Sequence, residues 1–118
     1  MEFQERCAGP VTIIDVSGRF ESADANGRLK DEVSRLLLQA RRLIVLNLAG
    51  VSYMASTGLG ELAATHAMVT RQGGRIVLLN LTKRVEDLLV LCRLLSVFDV
   101  FETEADAVAD LSAVATSV

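Results

Sequence analysis

Tryptophan is absent, tyrosine occurs once, and all aromatic residues together make up 4% of the chain. A core without large rings must be built from Leu, Val, Ile and Ala, and a hydrophobic fraction of 51% supplies them. That composition suits α/β domains whose parallel strands are buried on both faces. The longest apolar runs, such as "LLVLC", fall far short of the roughly 18 residues a membrane span requires. No basic start followed by an apolar stretch marks a secretory leader. The two cysteines, Cys7 and Cys92, match no metal or redox spacing. They are expected as small apolar fillers of the core in a reduced compartment. A soluble, cytoplasmic protein is the expectation.

A strong charge of one sign is missing too. Fifteen acidic and twelve basic residues leave a net charge of −3, and the basic ones are scattered apart from "ARR" at 40–42 and "TKR" at 82–84. Nucleic-acid binding needs a basic stripe, so no nucleic acid is expected as a partner. The single histidine, His66, follows Leu59 and Leu62 at helical spacing and sits on their apolar stripe. It lies ten residues after Ser56, too far along a helix to serve as its general base, which makes it a structural histidine. No HExxH, CxxC or DxD pattern points to a metal, and the "GLG" of 58–60 lacks the third glycine of a dinucleotide loop. Ser56 does not sit in G-x-S-x-G. The expectation is a protein that is not an enzyme, with no catalytic residue, no cofactor and no metal.

What is present is regular. The 118 residues suit a single domain, one that buries about 65% of its unfolded surface. The segment "MEFQERC" alternates with a period near two, and after the turn signal "AGP" the run "VTIIDVSG" reads as a second strand, pairing with the first as a hairpin. In "NGRLKDEVSRLLLQARR", Leu29, Val33, Leu36, Leu37 and Ala40 form one helical stripe, and Asp31 and Arg35 are expected as an i,i+4 pair. "LIVLNL" at 43–48 is a buried strand, followed by a loop "AGVSYMAS" and a helix from about 57 to 71. "GG" at 73–74 ends that helix, and "RIVLLN" is a further buried strand. "TKRVEDLLVLCRLL" is a third helix, with Val85, Leu88, Leu89 and Cys92 on one face. "DVFET" is a short last strand, and Thr103 with Asp106 has capping-box spacing for a closing helix. The predicted order ββαβαβαβα implies an α/β domain with a mainly parallel sheet, an antiparallel N-terminal edge and covering helices. The domain is expected to span 1–112, with 113–118 as a C-terminal tail.

One stretch is at odds with itself. In "VSYMASTGLGELAATH", residues 51–66, a helix begins with two glycines in its first turn, and each costs about 1 kcal/mol relative to alanine. Ser56 or Thr57 is expected to act as N-cap, accepting from a first-turn amide. Ala55, Gly58 and Gly60 leave the entrance uncrowded, and the helix start favours an anion. A serine there is within reach of another protein, and phosphorylation would place about −1.5 to −2 charges at the positive end of the helix. The segment follows the carboxyl end of a buried strand, where open α/β sheets place functional groups.

These residues resemble a known family. "LIVLNLAGVSYMASTGLGEL" looks like the signature of STAS domains, specifically of bacterial anti-sigma factor antagonists. Their pattern is an apolar strand, an Asp, a short loop and then Asp-Ser-Ser/Thr-Gly-Leu-Gly. The element order, the "GG" before the fourth strand and "VFDVFETEADAV" near the end extend the resemblance over nearly the whole chain. It implies an antagonist that binds an anti-sigma factor with serine kinase activity, so that the sigma factor is released. Phosphorylation of the serine before the Ser/Thr-Gly step breaks that complex, and a metal-dependent Ser/Thr phosphatase resets it. By resemblance the phosphorylated residue is Ser56, with Thr57 as the secondary candidate. The partner-binding surface would comprise Ser52, Met54, Ala55, Ser56, Thr57, Gly58, Leu59 and Gly60. Two positions depart from the family: Ala55 replaces the Asp before the serine, and Asn47 replaces the Asp that often ends the third strand. Ala55 supports an alternative, a STAS scaffold or assembly module without phospho-control. Asn47 is expected to support the loop. Ser22 and Asp24 are expected to form an N-cap and turn before the first helix.

Overall fold

The computed structural model describes residues 2–20 and 28–116, so the expected cap and turn at Ser22 and Asp24 lie outside the described residues. The elements are β1 (Glu2–Ala8), β2 (Val11–Phe20), α1 (Arg28–Leu38), β3 (Leu43–Met54), α2 (Ser56–Arg71), β4 (Arg75–Leu79), α3 (Lys83–Leu91), β5 (Val100–Phe101) and α4 (Glu104–Thr116). The five strands form one sheet in the order β1-β2-β3-β4-β5. β1 pairs antiparallel with β2, and every later pairing is parallel. The expected ββαβαβαβα order and mixed sheet are therefore present.

Alternation along the strands splits the core in two. Ile14, Val16, Ile44, Leu46, Ile76 and Leu78 point to the face packed by α1, α2 and α3. Val11, Ile13, Val45, Val77 and Leu79 point to the other face, which is covered by Ala107 and Leu111 of α4. Each fully buried Leu or Ile contributes about 1.5–3 kcal/mol of hydrophobic stabilisation. The core is as aliphatic as the composition requires, with Phe20 and Phe98 as its buried aromatic residues.

Several boundaries differ from the sequence reading. The run 49–54, expected as loop, continues β3 and pairs with Ser17–Phe20 of β2 across register shifts. Its Ala-Gly dipeptide hides the strand from pattern reading, but the backbone partner is there to be paired. α1 and α3 stop before their predicted ends at 42 and 95. Both close with the same double hydrogen bond: Ala40 N donates to Leu37 O and Arg41 N to Leu36 O, while Arg93 N donates to Val90 O and Leu94 N to Leu89 O. The turning residues Ala40 (φ 62°) and Arg93 (φ 58°) are left-handed, a conformation that glycine usually supplies and whose absence removed the stop signal. α2 uses the same closure with Gly73 (φ 77°), as "GG" indicated. Because a side chain in this region costs about 1–2 kcal/mol, Ala40→Gly is expected to stabilise the fold by roughly 0.5–1 kcal/mol after glycine's entropic penalty. A thermal melt of the exposed-site variant checks it; no rise in midpoint would contradict the strain.

Three further expectations are corrected. Cys7 and Cys92 are exposed rather than core fillers, because Cys7 lies on an edge strand and Cys92 caps α3 beyond its last buried turn. Ala40 leaves the helical stripe and is exposed. Arg35 pairs not with Asp31 but with Glu32 one turn away and with Glu5 across on β1, because the carboxylate of the neighbouring strand draws the guanidinium over the sheet edge. The cap before the last helix is as expected: Asp106 N donates to Thr103 Oγ1 at 3.2 Å. α4 runs through Thr116, across the expected boundary at 112.

Candidate functional site

β3 delivers the chain to the helix entrance at the carboxyl end of the parallel strands. Met54 ends the strand, Ala55 alone makes the turn, and Ser56 is the first residue of α2. Ala55 is extended (φ −88°, ψ 165°), the geometry of an N-cap, yet its own side chain offers no capping hydrogen bond. The expectation that Ser56 or Thr57 caps is corrected. The strand runs to Met54, so the turn falls one residue ahead of the hydroxyls and Ser56 is already helical. The entrance is latched by the backbone: Ala55 N donates to Phe20 O at 2.9 Å, and Leu59 N to Ala55 O at 3.0 Å.

The eight predicted surface residues separate into two groups. Ser52, Ser56, Thr57 and Gly60 are exposed, and Ala55 is half-buried. Met54 and Leu59 are 4% and 3% exposed and belong to the core under α2. Gly58 is buried as well. A Cβ on it would lie 2.4 Å from both the ring edge and the carbonyl oxygen of Phe20, so its bareness serves the chain's own packing. Around Gly60 nothing lies within 4 Å of an added Cβ. The two glycines of the entrance thus have different origins: one is demanded by Phe20, the other is open to solvent. Ser52 Oγ donates to Gly18 O at 3.3 Å and ties this rim to β2.

Three contacts around the entrance carry no sequence signature. The Arg19 guanidinium lies 4.4 Å over the Tyr53 ring, a cation–π contact between register partners at the ends of β2 and β3. Glu61, on the second turn of α2, accepts from Leu29 N at 2.9 Å and Lys30 N at 3.3 Å. It caps α1 from another helix, an arrangement the macrodipole favours and that no local spacing could reveal. His66 is half-buried and packs edge-on against Phe98, with ring centroids 4.9 Å apart.

A polar cluster lies on the opposite face of the sheet, beyond the edge of the α4 core. Arg6 grips Asp15 with two hydrogen bonds of 2.6 and 3.0 Å and reaches Glu104 at 2.7 Å. Asn47 Nδ2 donates to Asp15 Oδ1 at 2.8 Å, while its Oδ1 accepts from Ala49 N at 3.2 Å. Asn47 therefore supports the backbone that follows it, as expected, although that backbone is strand β3 rather than a loop. The hydrogen bonds from Arg6, then those from Asn47, hold the Asp15 carboxyl below the usual carboxylate range against the opposing pull of burial. A carboxylate lowered in this way stabilises the fold above its unfolded value of about 3.9, and that contribution disappears as pH falls through the lower folded value. Arg6→Met is therefore expected to reduce the acid sensitivity of the melting temperature below about pH 4. Melts of both proteins from pH 2 to 6 check it, and parallel curves would contradict the role of Arg6.

Among the described residues, no group of three His, Cys, Asp or Glu side chains could hold a metal ion, and no helix is long and apolar enough to cross a membrane. The anti-sigma-B factor antagonist of Bacillus subtilis is 43% identical over 53 residues, covering 45% of this chain and 49% of the relative. The alignment spans about half of that relative's length. The solved structure of the anti-sigma factor antagonist SpoIIAA in its unphosphorylated form superposes with a TM-score of 0.79 at 22% identity, covering 95% of this chain and 97% of the other. The phosphorylated form of SpoIIAA from Bacillus gives 0.70 at 21% identity over 92% and 98%. At such identities the structures show a shared fold. A family model described as STAS domain matches residues 2–107, and this chain belongs to the STAS domain family.

Proposed function

We propose that the protein is an anti-sigma factor antagonist whose binding is switched off by phosphorylation of Ser56. In this reading it binds an anti-sigma factor with serine kinase activity and thereby frees the sigma factor. The kinase transfers a phosphoryl group to the Ser56 hydroxyl, and a metal-dependent Ser/Thr phosphatase removes it. The carrying observation is the placement of Ser56: exposed, first in α2, at the strand ends, beside an alanine and an unobstructed Gly60. The relative from Bacillus subtilis is itself described as an anti-sigma-B factor antagonist, and SpoIIAA has been solved with and without phosphate. Of the predicted contact residues, Ser52, Ala55, Thr57 and Gly60 would meet the partner alongside Ser56, whereas Met54, Gly58 and Leu59 would hold the surface from below.

Magnitudes favour exclusion over refolding. A phosphate at a helix N-terminus is stabilising by about 0.3–1 kcal/mol, up to ~2. Moving a two-state equilibrium from 1:99 to 99:1 takes about 5.5 kcal/mol. A charge forced unpaired into an interface costs about 2–5 kcal/mol, enough to break a complex with the fold unchanged. The likeness of this chain to both forms of SpoIIAA is consistent with such a switch.

A second reading, a STAS scaffold or assembly subunit without phospho-control, is favoured by one observation: Ala55 supplies neither the cap nor the carboxylate of the family pattern. Pull-downs from lysate of the source cell with wild type, Ser56→Ala and Ser56→Asp distinguish the two. Capture of a histidine-kinase-like ATPase by the first two baits and not by Ser56→Asp supports the switch. The same partners on all three baits would replace it with the scaffold.

A further inference from the structure

The arginines that build this fold are doubly paired. Arg6 holds Asp15 and Glu104, Arg35 holds Glu5 and Glu32, and Arg75 holds Asp99 and Asp110. Arg84 and Arg93, like Arg42 and Arg71, are exposed and have no ion pair among the described residues, but Arg84 and Arg93 stand beside exposed apolar side chains. Among the described residues they flank the largest apolar exposure apart from Leu38. Leu91 is 79% exposed and Val90 55%, and both lie on the outer side of α3. One groove runs between Tyr53 and Met54 at the end of β3 and Arg84, Leu88 and Leu91 of α3. A second lies across the same ridge, between Val90 and Leu95, with Arg93 at its wall. Asp87 borders the first groove and pairs with Lys83 at 3.5 Å, and Glu86 is an exposed carboxylate of the same helix. Arg84 and Arg93 therefore leave this ridge with a slight positive excess on a chain whose net charge is −3.

We infer that the α3 ridge and its grooves dock an amphipathic helix of a protein partner, one that lays apolar side chains beside Leu91 and turns carboxylates toward Arg84 and Arg93. Four arguments select this occupant. Exposed apolar ridges that survive on a soluble face mark interaction sites, and a helix-in-groove contact is read through apolar anchors at i, i+3, i+4 and i+7. Unpaired guanidinium groups at the rim ask for carboxylates, with which they form bidentate bonds. A second copy of this chain is disfavoured because a two-fold contact sets the same patch against itself, bringing like guanidinium charges together. A membrane surface is disfavoured because stable electrostatic anchoring takes a cluster of about 4–8 basic residues, whereas Lys83, Arg84 and Arg93 are the basic residues along this ridge.

The first groove ends at Tyr53 and Met54, the residues that lead into the Ser56 entrance. The inference thus rests on the proposed reading for its biological partner, and its chemistry is tested apart from Ser56. The probes are two synthetic helical peptides with an identical leucine stripe, one flanked by glutamates and the other by lysines. Each is titrated into the full chain and followed by backbone amide shifts, with vesicles containing phosphatidylserine and sedimentation of the free protein alongside. The expected result is shifts at 53–54 and 84–97 with the glutamate peptide, no binding of the lysine peptide, and affinity reduced at least tenfold by Leu91→Asp or Arg84→Glu. Ser56→Asp should bind this probe as wild type does, so a failed pull-down and a failed titration overturn different claims. The inference is overturned by absent shifts, by equal binding of both peptides, by vesicle binding in their place, or by a wild-type dimer that Leu91→Asp disperses. Leu91 and Arg84 are exposed, and circular dichroism of both variants verifies that the fold is retained.

Discussion

Gly58→Ala is expected to destabilise the protein by about 3 kcal/mol, the upper range for overfilling a packed site. The added Cβ would stand 2.4 Å from Phe20 Cδ1 and 2.4 Å from Phe20 O. The ring is fully buried and has nowhere to turn. The carbonyl cannot retreat either, because it accepts the Ala55 N–H bond that latches the helix entrance. Relief must come from α2 shifting away from β2, which opens the core around Leu59 and Leu62. Gly60→Ala, two residues on, is the control: with open space around it, it should stabilise the helix by roughly 0.5–1 kcal/mol. Urea unfolding of the two variants gives the contrast directly. A loss below about 1 kcal/mol for Gly58→Ala would mean that the approach of Phe20 is softer than the geometry states. The signature "STGLG" therefore combines a packing requirement with a surface feature, and only the second is available to a partner.

The fold was legible where side-chain pattern and backbone need coincide. "LIVLNL" and "RIVLL" are continuous apolar runs because helices cover both faces of β3 and β4. Leu29, Val33, Leu36 and Leu37 are buried as their spacing indicated. Legibility failed where the backbone acts without a matching side chain. Residues 49–54 pair as strand although Ala49 and Gly50 carry no strand pattern. Ala40 and Arg93 turn the chain in a left-handed conformation without the glycine that announces one. Cys7 and Cys92 are exposed despite their apolar neighbours, because an apolar neighbourhood in sequence does not place a residue under a helix in space.

The site divides along the same line. The entrance at Ser56 was legible because a strand, two hydroxyls and two glycines form a local pattern. Which glycine faces inward was not, since Phe20 is far away in sequence. Glu61 capping α1 and Arg19 over Tyr53 both depend on tertiary neighbours. Local spacing is silent about them.

Ala55→Asp is expected to stabilise the protein by about 1 kcal/mol, up to ~2, by giving α2 the side-chain cap that Ala55 cannot offer. The backbone at Ala55 already has N-cap dihedrals, so the carboxylate can accept from first-turn amides without rearranging the turn. Its charge also sits at the positive end of the helix. For a domain of this size the gain corresponds to roughly 3–6 °C in melting temperature. Ser56→Asp alone should give a smaller gain, about 0.3–1 kcal/mol, because it offers charge without cap geometry. The double variant should fall short of the sum: two adjacent carboxylates repel, and neighbouring sites couple by about 0.5 kcal/mol or more. This deficit is informative about control. If Ala55→Asp is stabilising and the double variant is not further stabilised, residue 55 sets how favourably a negative charge at 56 is received. Ala55 then makes the helix start more welcoming to a phosphate than an aspartate would. If instead Ala55→Asp leaves the melting temperature unchanged, the entrance is capped by other means, and the exposed Ser56 has no special electrostatic standing.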